Sequence, residues 1–131
     1  MTRHAGSCHC GYVRFEVEVE AEIDHKRICD CSICHKRGAL IYRVPEAALT
    51  LHRSLSDLTL YEWGSRTAKD CFCPHCGILP FRRPGAPTAA ERAQGVMPFD
   101  GWAINLRCLD GFDTDPLPVR HIRGRASVHD D

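Results

Sequence analysis

Cys8-His9-Cys10-Gly11-Tyr12-Val13-Arg14-Phe15-Glu16-Val17-Glu18-Val19-Glu20 puts a Cys-x-Cys pair directly ahead of a strict two-residue alternation. Val13, Phe15, Val17 and Val19 alternate with Arg14, Glu16, Glu18 and Glu20, which predicts a half-buried strand over 12–20. Side chains at i and i+2 of a strand share a face, so Cys8 and Cys10 would offer two sulfurs to one side, close enough to share an ion. The same rhythm continues outward. Short strands are predicted at 39–44, 49–51, 58–63, 79–82, 102–109 and 119–122, separated by turn residues such as Gly38, Pro45, Gly64, Pro74, Gly77, Pro84, Gly111 and Pro116. The expectation is a mostly β single domain of short antiparallel strands.

Helix is scarce in this reading. Residues 45–49 suit one turn with Pro45 at its start. Residues 88–94 suit a short exposed helix capped by Thr88, inside a long Pro-, Gly- and Ala-rich segment, 84–101. Segments of that length between two strands tend to be lids or binding loops. Residues 125–131 read as a tail.

The chain has 131 residues, enough for one domain with a core of its own. Lys+Arg and Asp+Glu both number 17, and no basic stripe stands out, which argues against nucleic acid as a partner. No apolar run approaches the ~20 residues of a membrane span, so no membrane association is expected. The first residues lack the apolar stretch of a signal peptide, and a cytoplasmic location is the expectation.

Nine cysteines is a high, odd count for such a location. Seven fall in three groups: Cys8-His-Cys10, Cys29-Asp-Cys31-Ser-Ile-Cys34 and Cys73-Pro-His-Cys76. Cysteines two apart do not readily bridge one another, and a reducing compartment would not keep bridges. Zinc is the commonest metal for several thiolates; a redox dithiol at Cys73-Pro-His-Cys76 is the alternative. Gly11 and Gly77, each directly after a pair, suit positive-φ turn positions. Two pairs from distant parts of the chain could close a tetrahedral site of four cysteines. The middle group gives three sulfurs in six residues, and spacing leaves two outcomes open: a site with a free fourth position, or one closed by Cys71 or Cys108.

The order Gly6-Ser-Cys-His-Cys-Gly11, Cys29-Asp-Cys-Ser-Ile-Cys34, Phe72-Cys-Pro-His-Cys-Gly77 and Ala103-Ile-Asn-Leu-Arg-Cys-Leu-Asp-Gly111 resembles the glutathione-dependent formaldehyde-activating enzyme family, which includes the centromere protein V group. The resemblance covers residues 4–124. It implies an Mss4-like (β-tent) fold with two zinc ions. Cys8, Cys10, Cys73 and Cys76 would hold a structural zinc, and Cys29, Cys31 and Cys34 an exposed one at the active site. The activity implied is carbon–sulfur lyase chemistry, making or cleaving S-hydroxymethylglutathione, with glutathione or a similar thiol as the small-molecule partner. A non-catalytic interaction or chaperone-like module of the same fold is the runner-up.

His35 and Lys36, right after the third cysteine of the middle group, are the nearest candidates for proton transfer, with His35 the catalytic choice. Ser32 reads as a turn cap or a partner to a sulfur. His9 and His75 read as surface residues, and Cys71 and Cys108 as small apolar core residues, Cys108 sharing a strand face with Ile104 and Leu106. Phe15, Trp63 and Trp102 read as core. Arg82, Arg83 and the arginines of 120–125 read as solvated faces able to attract substrate carboxylates.

Overall fold

The alternation around Phe15 buries Phe15, Val17 and Val19 and leaves the acidic partners outside. In the computed structural model, which describes residues 1–123, ten strands form two sheets. They are β1 (Thr2–Ser7), β2 (Arg14–Val19), β3 (Lys26–Cys29), β4 (Ile41–Pro45), β5 (Leu49–Leu51), β6 (Thr59–Tyr61), β7 (Lys69–Phe72), β8 (Phe81–Arg83), β9 (Gly101–Asn105) and β10 (Val119–Ile122). The smaller sheet has the order β1-β2-β5, and the larger β10-β3-β4-β9-β8-β7-β6. Two short helices complete the fold, α1 (Ser32–Arg37) and α2 (Ala89–Ala93). The mostly β expectation holds; the tail 125–131 lies outside the described residues.

Three aromatic rings join the sheets. Phe15 of β2 meets Phe81 of β8 edge-on at 5.7 Å, and Phe81 meets Trp102 of β9 at 5.3 Å. Edge-to-face pairs of this kind add to the burial of each ring. Gly6 lies opposite Phe15 in the β1–β2 ladder, where a Cβ would overlap the phenyl ring. The close approach of β1 over the core therefore requires glycine.

Several sequence expectations are corrected. β10 runs parallel to β3, whereas every other strand pair is antiparallel. No hairpin constrains this pair, because β4 to β9 intervene between its strands, and a long connection permits parallel pairing. The strand expected at 102–109 stops at Asn105, whose side chain accepts from Arg107 N and starts a 3-10 turn over Leu106–Cys108. Cys108 is still buried, but on that turn.

The 45–49 turn is a 3-10 segment, Glu46–Ala48, preceded by Pro45. α2 begins after Thr88, whose hydroxyl accepts from Glu91 N while the Glu91 carboxylate accepts from Thr88 N. That reciprocal pair satisfies two backbone donors that the helix leaves open. Trp63 is only half-buried and lines a cleft, and Arg82 points inward, as described below.

Candidate metal centres

Each cysteine pair follows a strand end. β1 stops at Ser7 and the chain turns through Cys8-His-Cys10, with Cys8 N–H donating to Val13 O and Gly11 N–H to Cys8 O. β7 stops at Phe72 and turns through Cys73-Pro-His-Cys76, with Gly77 N–H donating to Cys73 O and Cys73 N–H to Ile78 O. Cys8 and Cys10 thus sit in a turn, not on a strand face. Gly11 and Gly77 have φ of 82° and 78°, the left-handed turn positions expected.

The two turns meet. The four sulfurs lie within 4.8 Å of one another, with Cys8–Cys10 at 3.7 Å and Cys10–Cys73 at 3.6 Å. A tetrahedron of sulfurs at the usual zinc–sulfur distance has edges of about 3.8 Å, whereas a disulfide would need about 2 Å. Backbone N–H groups of Val13, His75 and Cys76 point at Cys8 and Cys73 sulfurs at 3.3–3.4 Å, which stabilises thiolate charge. The set fits a metal ion, and it lies where a strand of the small sheet and a strand of the large one end. His9 is exposed, and His75 packs edge-on against Tyr12.

The second group forms where β3 ends. Cys29 is its last residue, and Asp30 N–H donates to Ile122 O, keeping the chain against β10 as it turns. Cys31 caps α1, and Cys34 lies in its first turn, with His35 N–H donating to Cys31 O. The last turn carries His35, Lys36 and Arg37, cations suited to a helix C-terminus. Nothing in the sequence pattern signals α1, since a six-residue helix without a buried residue has no apolar periodicity.

The three sulfurs lie within 4.8 Å of one another, and no fourth His, Cys, Asp or Glu among the described residues joins them. All three cysteines are half-buried. Cys71 and Cys108 are buried and join neither group. Hydrogen bonds from Cys34 first, then from the backbone and side chain of Cys31, pull the Cys29 thiol down to about 5, while Cys34 is pushed up by the same contact. A cation among these sulfurs would take the place of shared protons.

The triad opens on a cleft of about 240 Å³. Its floor is a row across the large sheet: Arg43 of β4 pairs with Ala103 of β9, which pairs with Arg82 of β8, which pairs with Asp70 of β7. The small side chain of Ala103 leaves the hollow between the two arginines. Ile33, Ile41, Trp63, Met97 and Phe99 supply apolar walls, the last two from the 84–101 segment, which therefore lies at the cleft as a binding loop would.

Arg82 is not a solvated residue: its Nε donates to Asp70 Oδ1 at 2.5 Å, and Asp70 is fully buried. Burial works against the Arg82 charge, and Asp70 more than offsets it, leaving its pKa raised. Arg83 instead caps the Trp102 ring and pairs with Glu46.

His35 does not line this cleft. It is exposed on α1 and borders a second hollow, which shares Cys29 and Cys34 with the first and includes Arg107 and His121. Consecutive helical residues point about 100° apart, so adjacency to Cys34 does not carry His35 to the cleft side. Ser32 is exposed at the first helical position. Sequence reasoning missed Arg27, Arg43, Asp70 and Ala103. Their only sequence signal is a charged or small residue within a strand, and it acquires meaning once the strand order is known.

Residues 3–98 match the family described as Glutathione-dependent formaldehyde-activating enzyme. The chain belongs to that family. The matched span includes all seven clustered cysteines and ends before β9. A Penicillium rubens protein whose description carries the same family name is 29% identical over 80 residues, 58% of this chain. The chain spans only 41% of that relative's length. The crystal structure of a Rhodobacter sphaeroides protein is similar with a TM-score of 0.69 and 32% identity, covering 88% of this chain and 99% of that one.

Proposed function

We propose that the protein is a zinc-dependent carbon–sulfur lyase that joins glutathione, or a closely related thiol, to formaldehyde and cleaves the adduct. One observation carries the reading: a set of three cysteines, with no fourth ligand among the described residues, faces a cleft of small-molecule size. Cys8, Cys10, Cys73 and Cys76 would hold a structural zinc and Cys29, Cys31 and Cys34 the catalytic one. Zinc held by Cys29, Cys31 and Cys34 would supply the Lewis acidity that lowers the pKa of a thiol.

The chain's own residues do the rest. The apolar walls at Ile33, Trp63 and Phe99 exclude water, so that the sulfur meets the aldehyde carbon in preference to solvent. In the forward direction the S–H bond breaks and the carbon–sulfur bond forms. The aldehyde oxygen takes up one proton, so a thiol and an aldehyde give a hydroxymethyl thioether with no redox partner. Arg82 on the cleft floor favours the negative charge that grows on that oxygen. His35 borders the second hollow beside Cys29 and Cys34 and is not among the cleft-lining residues. A nearly unchanged rate in His35→Ala would exclude it from proton transfer, and a fall of about 100-fold or more would place it there.

The test is the rate of S-hydroxymethylglutathione formation, followed by exchange NMR, with zinc-loaded protein. A rate above the uncatalysed one that disappears in Cys31→Ser supports the reading. No acceleration at any zinc loading sinks it.

A further inference from the structure

Arg27 and Arg43 stand out among the cleft residues. β3 and β4 are neighbours, with Arg27 directly opposite Ile41; Arg43 lies two residues beyond Ile41 and therefore on the same face. Both guanidinium side chains line the cleft, as does Cys29, two residues after Arg27 on the same strand. Arg82 is committed to Asp70, but neither Arg27 nor Arg43 has a carboxylate within 4.0 Å among the described residues. The Arg43 guanidinium lies over the Phe99 ring at 4.9 Å, which orients it and leaves its N–H edge for another partner.

Burial lowers the Arg43 pKa, and the charges of Arg27 and then Arg82 lower it further, with opposing contributions from Cys29 and Glu91. Two cations held near each other in a partly dry cleft that Glu91 also lines, with no carboxylate within 4.0 Å of either among the described residues, are stabilised by an anion from outside.

We propose that Arg27 and Arg43 form the subsite for a carboxylate of the thiol substrate, so that the cleft selects an acidic thiol over a neutral one. This rests on the reading of the triad as the place where the substrate sulfur goes. The cysteines end β3 and begin α1, while the arginines lie on the β3 and β4 faces beside them. A molecule with a thiol at one end and a carboxylate a few bonds away would span the two. Arginine suits this task because its planar fork can grip both carboxylate oxygens.

The test is calorimetric titration of the zinc-loaded 131-residue chain with glutathione, its diethyl ester, S-methylglutathione and 2-mercaptoethanol, alongside the cobalt thiolate absorption of the triad. Wild-type protein should bind the diester about 10- to 100-fold more weakly than glutathione. Arg43→Met and Arg27→Met should each lose a similar factor for glutathione and S-methylglutathione, with 2-mercaptoethanol unchanged, and Arg43→Lys should fall between.

Equal binding of glutathione and its diester by the wild type overturns the subsite without requiring any variant to fold. The underlying reading fails separately, if glutathione leaves the cobalt spectrum unmoved. In that case an arginine-dependent affinity for S-methylglutathione would still establish the carboxylate subsite.

Discussion

Arg37 of α1 donates from Nη2 to Oδ2 of Asp70 on β7 at 3.1 Å, tying the cysteine-bearing helix to the interior of the large sheet. The other oxygen of Asp70 is held by Arg82. α1 has six residues, none of them buried, far below the length at which a helix holds itself in water. Its place is therefore set from outside, by this ion pair and by whatever its cysteines ligate. A carboxylate with no exposure is also costly to leave with one partner missing.

Asp70→Asn keeps the shape and removes the charge that faces both arginines. We expect the triad to lose its metal at least tenfold more readily to a mild chelator, with the four-cysteine site unaffected. Asp70→Ala should in addition lower stability by about 3–5 kcal/mol, the usual range for a broken buried pair. Metal content by mass spectrometry after graded chelation, with a denaturant melt, reads both. Unchanged metal retention in Asp70→Asn would show that α1 is positioned by other contacts.

The two cysteine sets should respond differently to substitution. Cys73 is buried where the turns after β1 and β7 meet, so Cys73→Ser removes a join between the two sheets. It should cost on the order of 5 kcal/mol or prevent folding, as loss of a structural metal does. Cys31→Ser should leave the far-ultraviolet circular dichroism and the thermal midpoint close to wild type while reducing zinc to about one per chain. Equal destabilisation by both substitutions would contradict this division of roles.

The cysteine sets and the strand of β2 are legible in the sequence because their signal is local: a spacing of two or three residues, or a period of two. The Thr88 start of α2 is legible for the same reason. Trp63 reads as core because a large aromatic near a strand usually is, yet it forms a cleft wall. Arg82 reads as solvated because its ion pair is with Asp70, twelve residues back and one strand away. The parallel pairing of β10 with β3 and the floor row through Ala103 depend on which strands become neighbours. No short window of sequence carries that information. What makes the triad a site, its cleft, is thus the part that requires the fold.

Ala103 offers a direct test of the cleft. It is almost fully buried, but its side chain faces the hollow between Arg43 and Arg82. Ala103→Leu should fill the floor and weaken glutathione binding at least tenfold. Because Ala103 is already 2% exposed, the added atoms crowd their neighbours, and stability should fall by about 1–3 kcal/mol. Calorimetric titration and a melt on the same sample read both. Undiminished affinity would place the thiol substrate elsewhere.

The two cysteines outside the clusters should behave as inert core thiols. Burial pushes Cys71 up to about 11, with the Asp70 charge adding to it, and pushes Cys108 up to about 12, reinforced by Cys8 and Cys76. In folded protein whose triad alone has been stripped by a mild chelator, iodoacetamide at pH 8 should therefore modify Cys29, where Cys34 and Cys31 favour the thiolate, long before Cys71 or Cys108. A thiol that binds its proton more tightly when folded contributes its full stabilisation below the unfolded pKa, near 8.5. That contribution is lost as pH rises through about 11 to 12, so the chain should unfold more easily in that alkaline range. Cys71→Ala should remove part of this alkaline sensitivity, read as a smaller drop in thermal midpoint between about pH 8 and pH 12. Rapid alkylation of Cys71 or Cys108 at pH 8 in the folded protein would show that these thiols are not held in the core.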